Sequence, residues 1–179
     1  AEGAIALNGK GHIEHFSEAP SGQVDFALQA ATADGLRVGS ELLGMPESLS
    51  KSKQLAAFAP LDMHVGLTTV EDGNRTKASV ELKGKAGGAS VSLTTKVIGE
   101  PAKLAEADID IDGTVEGDRP QVLLGLLVPG LAPERLAAAG AEQGKLTLKA
   151  HGVPAANVTG HAELVTASLQ AGFDGQGSL

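Results

Sequence analysis

Residues 108–131 read DIDIDGTVEGDRPQVLLGLLVPGL, and within them the spacing of apolar side chains changes from period two to a helical period. Ile109, Ile111 and Val115 alternate with Asp108, Asp110, Asp112 and Glu116. Successive residues of a strand point to opposite faces, so this alternation predicts a strand with one dry side and one wet side. Asp118 is then a suitable helix N-cap, and Pro120 falls in the first turn, where its missing N–H costs nothing. Leu123, Leu124, Leu126, Leu127 and Leu131 give the following helix a broad apolar surface. A strand with a face to cover is thus followed by an element suited to covering it. The expected class is mainly β with short helices (α+β): a repeat-built, curved antiparallel sheet whose amphipathic helices cover one face or edge.

The same two periods recur along the chain. Ile5 and Leu7 predict a short strand that ends at the Gly9-Lys10-Gly11 punctuation, and Val24, Phe26, Leu28, Ala30 and Thr32 share one face of a second strand. Leu36, Val38, Leu42 and Leu43 turn helical before Gly44-Met45-Pro46, and a further short helix over Leu55, Ala56 and Phe58 stops at Pro60. Met63, Val65, Leu67 and Thr69 resume period two. Asp72-Gly73-Asn74 is the strongest hairpin turn, joining that strand to one carrying Ala78, Val80 and Leu82. A Gly84–Gly88 loop leads to Val91, Leu93 and Val97, and Gly99-Glu100-Pro101 turns the chain into residue 108. Beyond the leucine run, Pro133–Ala141 predicts another short helix, Leu146, Leu148 and Ala150 a strand, and Val158–Leu169 one or two more.

Displacing the sequence by about 83 residues superimposes Phe26 and Leu28 on Ile109 and Ile111, Pro46 on Pro129, Met63 and Val65 on Leu146 and Leu148, and Asn74-Arg75-Thr76 on Asn157-Val158-Thr159. The expected organisation is one fragment of a longer protein, 1–179, with an internal repeat over 24–98 and 107–179. The start at Ala1, without a methionine or a signal pattern, prompts that expectation.

Composition removes several function classes. There are no cysteines, which excludes disulfides, thiolate nucleophiles and cysteine-ligated metals. A formal charge of −8 and only four phenylalanines, with no Trp or Tyr, leave neither a cationic footprint nor stacking platforms for nucleic acid. No apolar run approaches the roughly 20 residues that span a bilayer as a helix.

Short motifs do not supply a chemistry. Asp108-x-Asp110-x-Asp112-Gly113 matches the start of a calcium-binding EF loop, but the twelfth position is Arg119 where a bidentate glutamate is needed, and three aspartates on the wet side of a strand account for the pattern. His12, His15, His64, His151 and His161 show no metal-ligand spacing. No GxSxG elbow is present, and Gly140–Leu146 (GAEQGKL) is one residue short of a P-loop. The expectation is no enzyme, no catalytic residue, no metal and no cofactor.

The run IGEPAKLAEADIDIDGTVEGDRPQVLLGLLVPG, followed by LTLKAHGVPAANVTGHAEL with glycines at strand ends, resembles the repetitive C-terminal region of the bacterial AsmA family. The resemblance covers the chain from about Val24 onward. It implies a periplasmic body in a Gram-negative cell, tethered to the inner membrane by a helix outside these residues, and a part in outer-membrane biogenesis. It also implies a long β-sheet groove, apolar inside, that carries phospholipid. On that reading Val80, Leu82, Val91, Leu93, Ile109 and Ile111, chosen by alternation, face lipid, and the helix of Leu123, Leu124, Leu126 and Leu127 covers or gates the groove. The alternative is a scaffold that binds envelope proteins through a free strand edge.

Overall fold

The computed structural model describes residues 5–15, 20–42, 58–118 and 142–178. Within them the chain is mostly β, a single open sheet of nine strands in which every neighbouring pair is antiparallel. The strands are β1 (Ile5–Glu14), β2 (Ser21–Ala30), β3 (Leu61–Asp72), β4 (Arg75–Ala86), β5 (Ala89–Gly99), β6 (Asp108–Gly117), β7 (Gly144–Val153), β8 (Asn157–Thr166) and β9 (Gln170–Gly177). Their lateral order is their order in the chain, so the sheet is a pure meander. The described helical content is α1 (Ala33–Leu42), a 3-10 turn at Leu104–Glu106 and the 3-10 residue Phe58. The mainly β character expected from the sequence is borne out, whereas amphipathic helices covering one face of the sheet are not shown among the described residues. The leucine-rich helix, the Pro133–Ala141 helix and, apart from Phe58, the short helix of Leu55, Ala56 and Phe58 fall on residues outside the description.

Several boundaries move for identifiable reasons. Strand β1 runs straight through Gly9-Lys10-Gly11 instead of ending there, because these glycines lie opposite bulky β2 residues: a β-carbon at Gly9 would sit 3.0 Å from that of Phe26. Strand β4 likewise contains Gly84, where an added β-carbon would collide with the Asp62 carbonyl oxygen and approach Met63 Cα at 2.8 Å. The expected Gly84–Gly88 loop shrinks to Gly87-Gly88, both at positive φ, as a type I′ hairpin turn requires. Thr32, expected on the face of β2, lies beyond it and caps α1, its hydroxyl accepting from the Gly35 N–H at 3.2 Å. At the hairpin Asp72-Gly73-Asn74-Arg75 only Gly73 has positive φ, 67°, which is the pattern of a type II′ turn.

The register aligns side chains into lateral rows that cross the whole sheet. One row passes from Leu7 through Leu28, Met63, Gly84, Val91, Val115, Leu146 and Leu164 to Ala171. The next joins Gly9, Phe26, Val65, Leu82, Leu93, Gly113, Leu148, Ala162 and Phe173. Both lie on the same face, two residues apart along each strand. The intervening row on the opposite face reads Asn8, Ala27, His64, Lys83, Ser92, Thr114, Thr147, Glu163 and Gly172. At a strand spacing of about 4.8 Å, nine strands carry these rows over roughly 38 Å.

The densest packing is at the centre of the apolar face and towards β8. Ala89, Val115, Leu146 and Leu164 form the buried cluster, with Phe58, Val91 and Leu148 packed against it, and Leu146 is fully buried. Towards the edges the rows open, leaving Leu7 58% and Phe173 51% exposed. Helix α1 packs mainly against β1 and β2, with Leu36 buried.

The positions paired by the 83-residue displacement fall differently in the sheet. Met63 and Leu146 share one row, and Val65 and Leu148 share the next, while Phe26 and Ile109 lie on different rows. The long connections, between β2 and β3 and between β6 and β7, both leave from the sheet end that carries Ala30, Leu61, Gly117 and Gly144.

Candidate functional site: an apolar groove across the sheet

The strand alternation brings Val80, Leu82, Val91, Leu93, Ile109 and Ile111 to one face. Val91 stands on the first row, Leu82 and Leu93 on the second, Val80 and Ile111 on the row beyond, and Ile109 on the last. A groove of about 330 Å³ opens on this face. Leu82, Val91 and Leu93 line it; Val80, Ile109 and Ile111 lie on the same face further along the strands, outside it. Leu123, Leu124, Leu126 and Leu127 lie outside the described residues.

The rest of the lining was not named from the sequence. Leu28, Met63 and Val115 come from the first row, and Val65 and Leu148 from the second. Phe58 precedes β3, and its backbone carbonyl accepts from the Gly87 N–H at 2.9 Å, which ties that residue to the β4–β5 turn. Gly113 makes the floor. Between Leu93 and Leu148 on the second row it contributes no side chain, and a β-carbon there would meet Leu93 Cδ1 at 3.0 Å and Leu148 Cβ at 3.6 Å. In the sequence, that glycine reads as punctuation after the aspartates; its lateral neighbours are what give it a shape.

The groove runs from β2 to β7, across the strands. Apolar surface of this kind offers no polar group to orient a reaction, and its favourable partner is another apolar surface removed from water.

The opposite face is wet and electrically mixed. Asp108, Asp110 and Asp112 belong to β6, a regular strand, with Asp110 and Asp112 exposed and Ile109 and Ile111 on the apolar side. One row reads Lys10, Asp25, Gly66, Glu81, Thr94, Asp112, Lys149, His161 and Asp174, so unlike charges meet between strands. Lys145 pairs with Glu116 at 3.0 Å, and His161 with Asp174 at 2.7 Å. Lys77 beside Asp72, at 2.8 Å, holds that carboxyl below its ordinary range, first through a hydrogen bond and then through charge. Such exposed pairs contribute little to stability and serve mainly to set register. His12 pairs with Glu14 at 3.0 Å and His151 with Asp108 at 3.9 Å, while His15 lies past the end of β1. Among the described residues no three His, Asp or Glu side chains converge as a metal site.

Glu142 occupies a junction. Its carboxylate accepts from Ser168 Oγ at 2.6 Å and Thr166 Oγ1 at 2.9 Å, joining the entry of β7 to the β8–β9 turn. Those two hydroxyls lower its pKa. Next to it the Glu142 N–H donates to the Asp118 carbonyl at 2.7 Å, and Gln143 Nε2 to the Asp118 carboxylate at 2.8 Å, closing the neck between β6 and β7. Among the described residues no helix is long and apolar enough to cross a membrane. Comparison of the chain with protein-family models, with curated proteins and with solved structures finds no match to any of them.

Proposed function

We propose that the chain is a non-enzymatic module that holds acyl lipid along the apolar face of its sheet. The observation that carries this reading is the coincidence of apolar rows, continuous from strand to strand, with a groove that crosses strands and is floored by Gly113. An acyl chain needs a long dry track with no directional partners, and rows in register provide one. The resemblance to the AsmA family adds the setting: the periplasm of a Gram-negative cell, a parent protein anchored in the inner membrane, phospholipid as the cargo, and outer-membrane biogenesis as the process. An internal repeat, with the leucine-rich segment as a cover of the second copy, belongs to the same proposal.

The test is protein purified without detergent, assayed by native mass spectrometry and lipid extraction, and then titrated with a phospholipid carrying a fluorescent acyl chain. Wild-type protein is expected to bind the probe. Gly113→Leu places a branched side chain on the groove floor and displaces about three methylenes of ligand, about 2.4 kcal/mol at ~0.8 kcal/mol per buried methylene. Binding then weakens about fiftyfold, at 1.4 kcal/mol per tenfold. Wild-type protein that carries no acyl lipid and leaves the probe unbound would end the proposal.

A second reading, a scaffold that binds envelope proteins by strand addition, is favoured by one observation: among the described residues β1 and β9 each have a neighbour on one side only.

A further inference from the structure

The two edges of the sheet are unequal. Strand β1 carries Lys10 at its centre, a charge of the kind that discourages edge pairing, whereas β9 (QAGFDGQG) contains neither lysine nor proline and leaves Phe173 51% exposed. Because nine is odd, β1 and β9 run in the same direction, so a second copy in the same orientation would add its β1 to β9 as a parallel pair.

The lateral rows show what that pairing would join. The second apolar row ends in Phe173 on β9 and begins in Gly9 on β1, so the phenylalanine would stand opposite a glycine, as Phe26 already does from the other side. The adjacent wet row ends in Asp174 and begins in Lys10, which places the lysine between Asp174 of one copy and Asp25 of its own. Continuing the rows therefore matches aromatic to glycine and acid to base at once, and keeps each face of the joined sheets uniform.

We propose that the β9 edge is a docking surface for the β1 edge of a second copy of this chain, giving head-to-tail extension of the sheet. The proposal goes beyond the lipid reading and does not depend on it. Such a contact is heterologous and leaves a free edge at each end, so association is open-ended and rises with concentration.

The chain has no cysteine, which allows a clean test with single-cysteine proteins. Asn8 and Gly172 end the same wet row, Asn8 is exposed, and a side chain at Gly172 meets only His161 Cε1 at 3.9 Å. Asn8→Cys and Gly172→Cys, mixed in equal amounts and oxidised, are expected to cross-link to each other and not to themselves. Self-linked dimers in excess, which would indicate two-fold edge pairing, overturn the proposal, and so does the absence of cross-links above those of an unfolded control. Sedimentation velocity gives the second measurement. Lys10→Glu and Asp174→Lys each replace one opposite-charge contact by a repulsive one and weaken association about five- to tenfold, on the scale of cross-strand charge pairs. Mixing the two variants makes both contacts between unlike copies compatible, Asp174 with Lys10 and the introduced lysine with the introduced glutamate, so association recovers as an alternating, open-ended assembly. Association unaffected by either variant, or not recovered on mixing, refutes the assignment.

Discussion

Two leucines on one lateral row provide the sharpest test of where the sheet has a core. Leu146 on β7 is fully buried between Val115 and Leu164, whereas Leu7, at the β1 end of the same row, is 58% exposed. Truncating Leu146 to alanine removes three carbons from a dry site, about 2.4 kcal/mol at ~0.8 kcal/mol per carbon. The cavity left behind raises the loss to about 3–5 kcal/mol. Truncating Leu7 removes carbons already half in water and leaves an indentation that solvent fills, so the cost stays near 1 kcal/mol or below. Urea unfolding monitored by far-ultraviolet circular dichroism reads both. The urea midpoint falls with an unchanged slope, and the melting temperature falls by about 6–20 °C for Leu146→Ala, at ~2–4 °C per kcal/mol for a chain of this size. For Leu7→Ala the drop is about 4 °C or less on the same scale. Equal losses at the two positions would mean that burial along the row is uniform, and would refute a core centred on β5–β8.

Gly73→Ala tests backbone strain without packing, because nothing lies within 4 Å of the added β-carbon while φ is 67°; the expected loss is about 1–2 kcal/mol by chemical denaturation. Gly84→Ala, by contrast, drives a β-carbon into the Asp62 carbonyl and separates β3 from β4, so amide exchange in those strands is expected to accelerate well beyond that in β7 and β8. Glu142 titrates below an ordinary glutamate because Ser168 and Thr166 hydrogen-bond its charged form. A depressed carboxylate contributes stability that is fully present above its unfolded pKa and is lost as pH falls through its lower folded value. Acidification across that window is therefore expected to loosen the β8–β9 turn, seen as lower amide protection at Ser168 and Leu169 relative to the intrinsic exchange rate at each pH, and Glu142→Gln is expected to abolish that pH dependence.

Strict alternation made the strands legible. Val80 with Leu82, Val91 with Leu93 and Ile109 with Ile111 share the dry side because lysines, serines and aspartates separate them, and no other secondary structure satisfies that spacing. Glycines were the main source of error. Gly9, Gly11 and Gly84 have the composition of turns, yet they are sites where one strand passes too close to its neighbour for a side chain, a property of the partner strand and not of the local sequence. The groove was half legible for the same reason. Its wall residues Leu82, Val91 and Leu93 follow from periodicity, but Gly113 acquires its role only once β5 and β7 stand on either side of it, and Phe58 lies in no strand at all. Thr32 continues the β2 alternation, and only the direction of its hydroxyl towards Gly35 marks it as a cap.

Neighbour-only pairing has a mechanical consequence. In a meander no strand is held between two others that are distant in the chain, so tension applied at the two ends reaches an edge strand first. The hydrogen bonds of that strand part in succession, and the next strand becomes the edge. Such a sheet resists load weakly and unravels one strand at a time, the behaviour of a chain whose stability is a sum of nearest-neighbour terms. Resistance should rise as unravelling reaches the β5–β8 segment, where Val115, Leu146 and Leu164 are packed, and fall again beyond it. The sheet would therefore yield from both ends and keep a short central clasp longest.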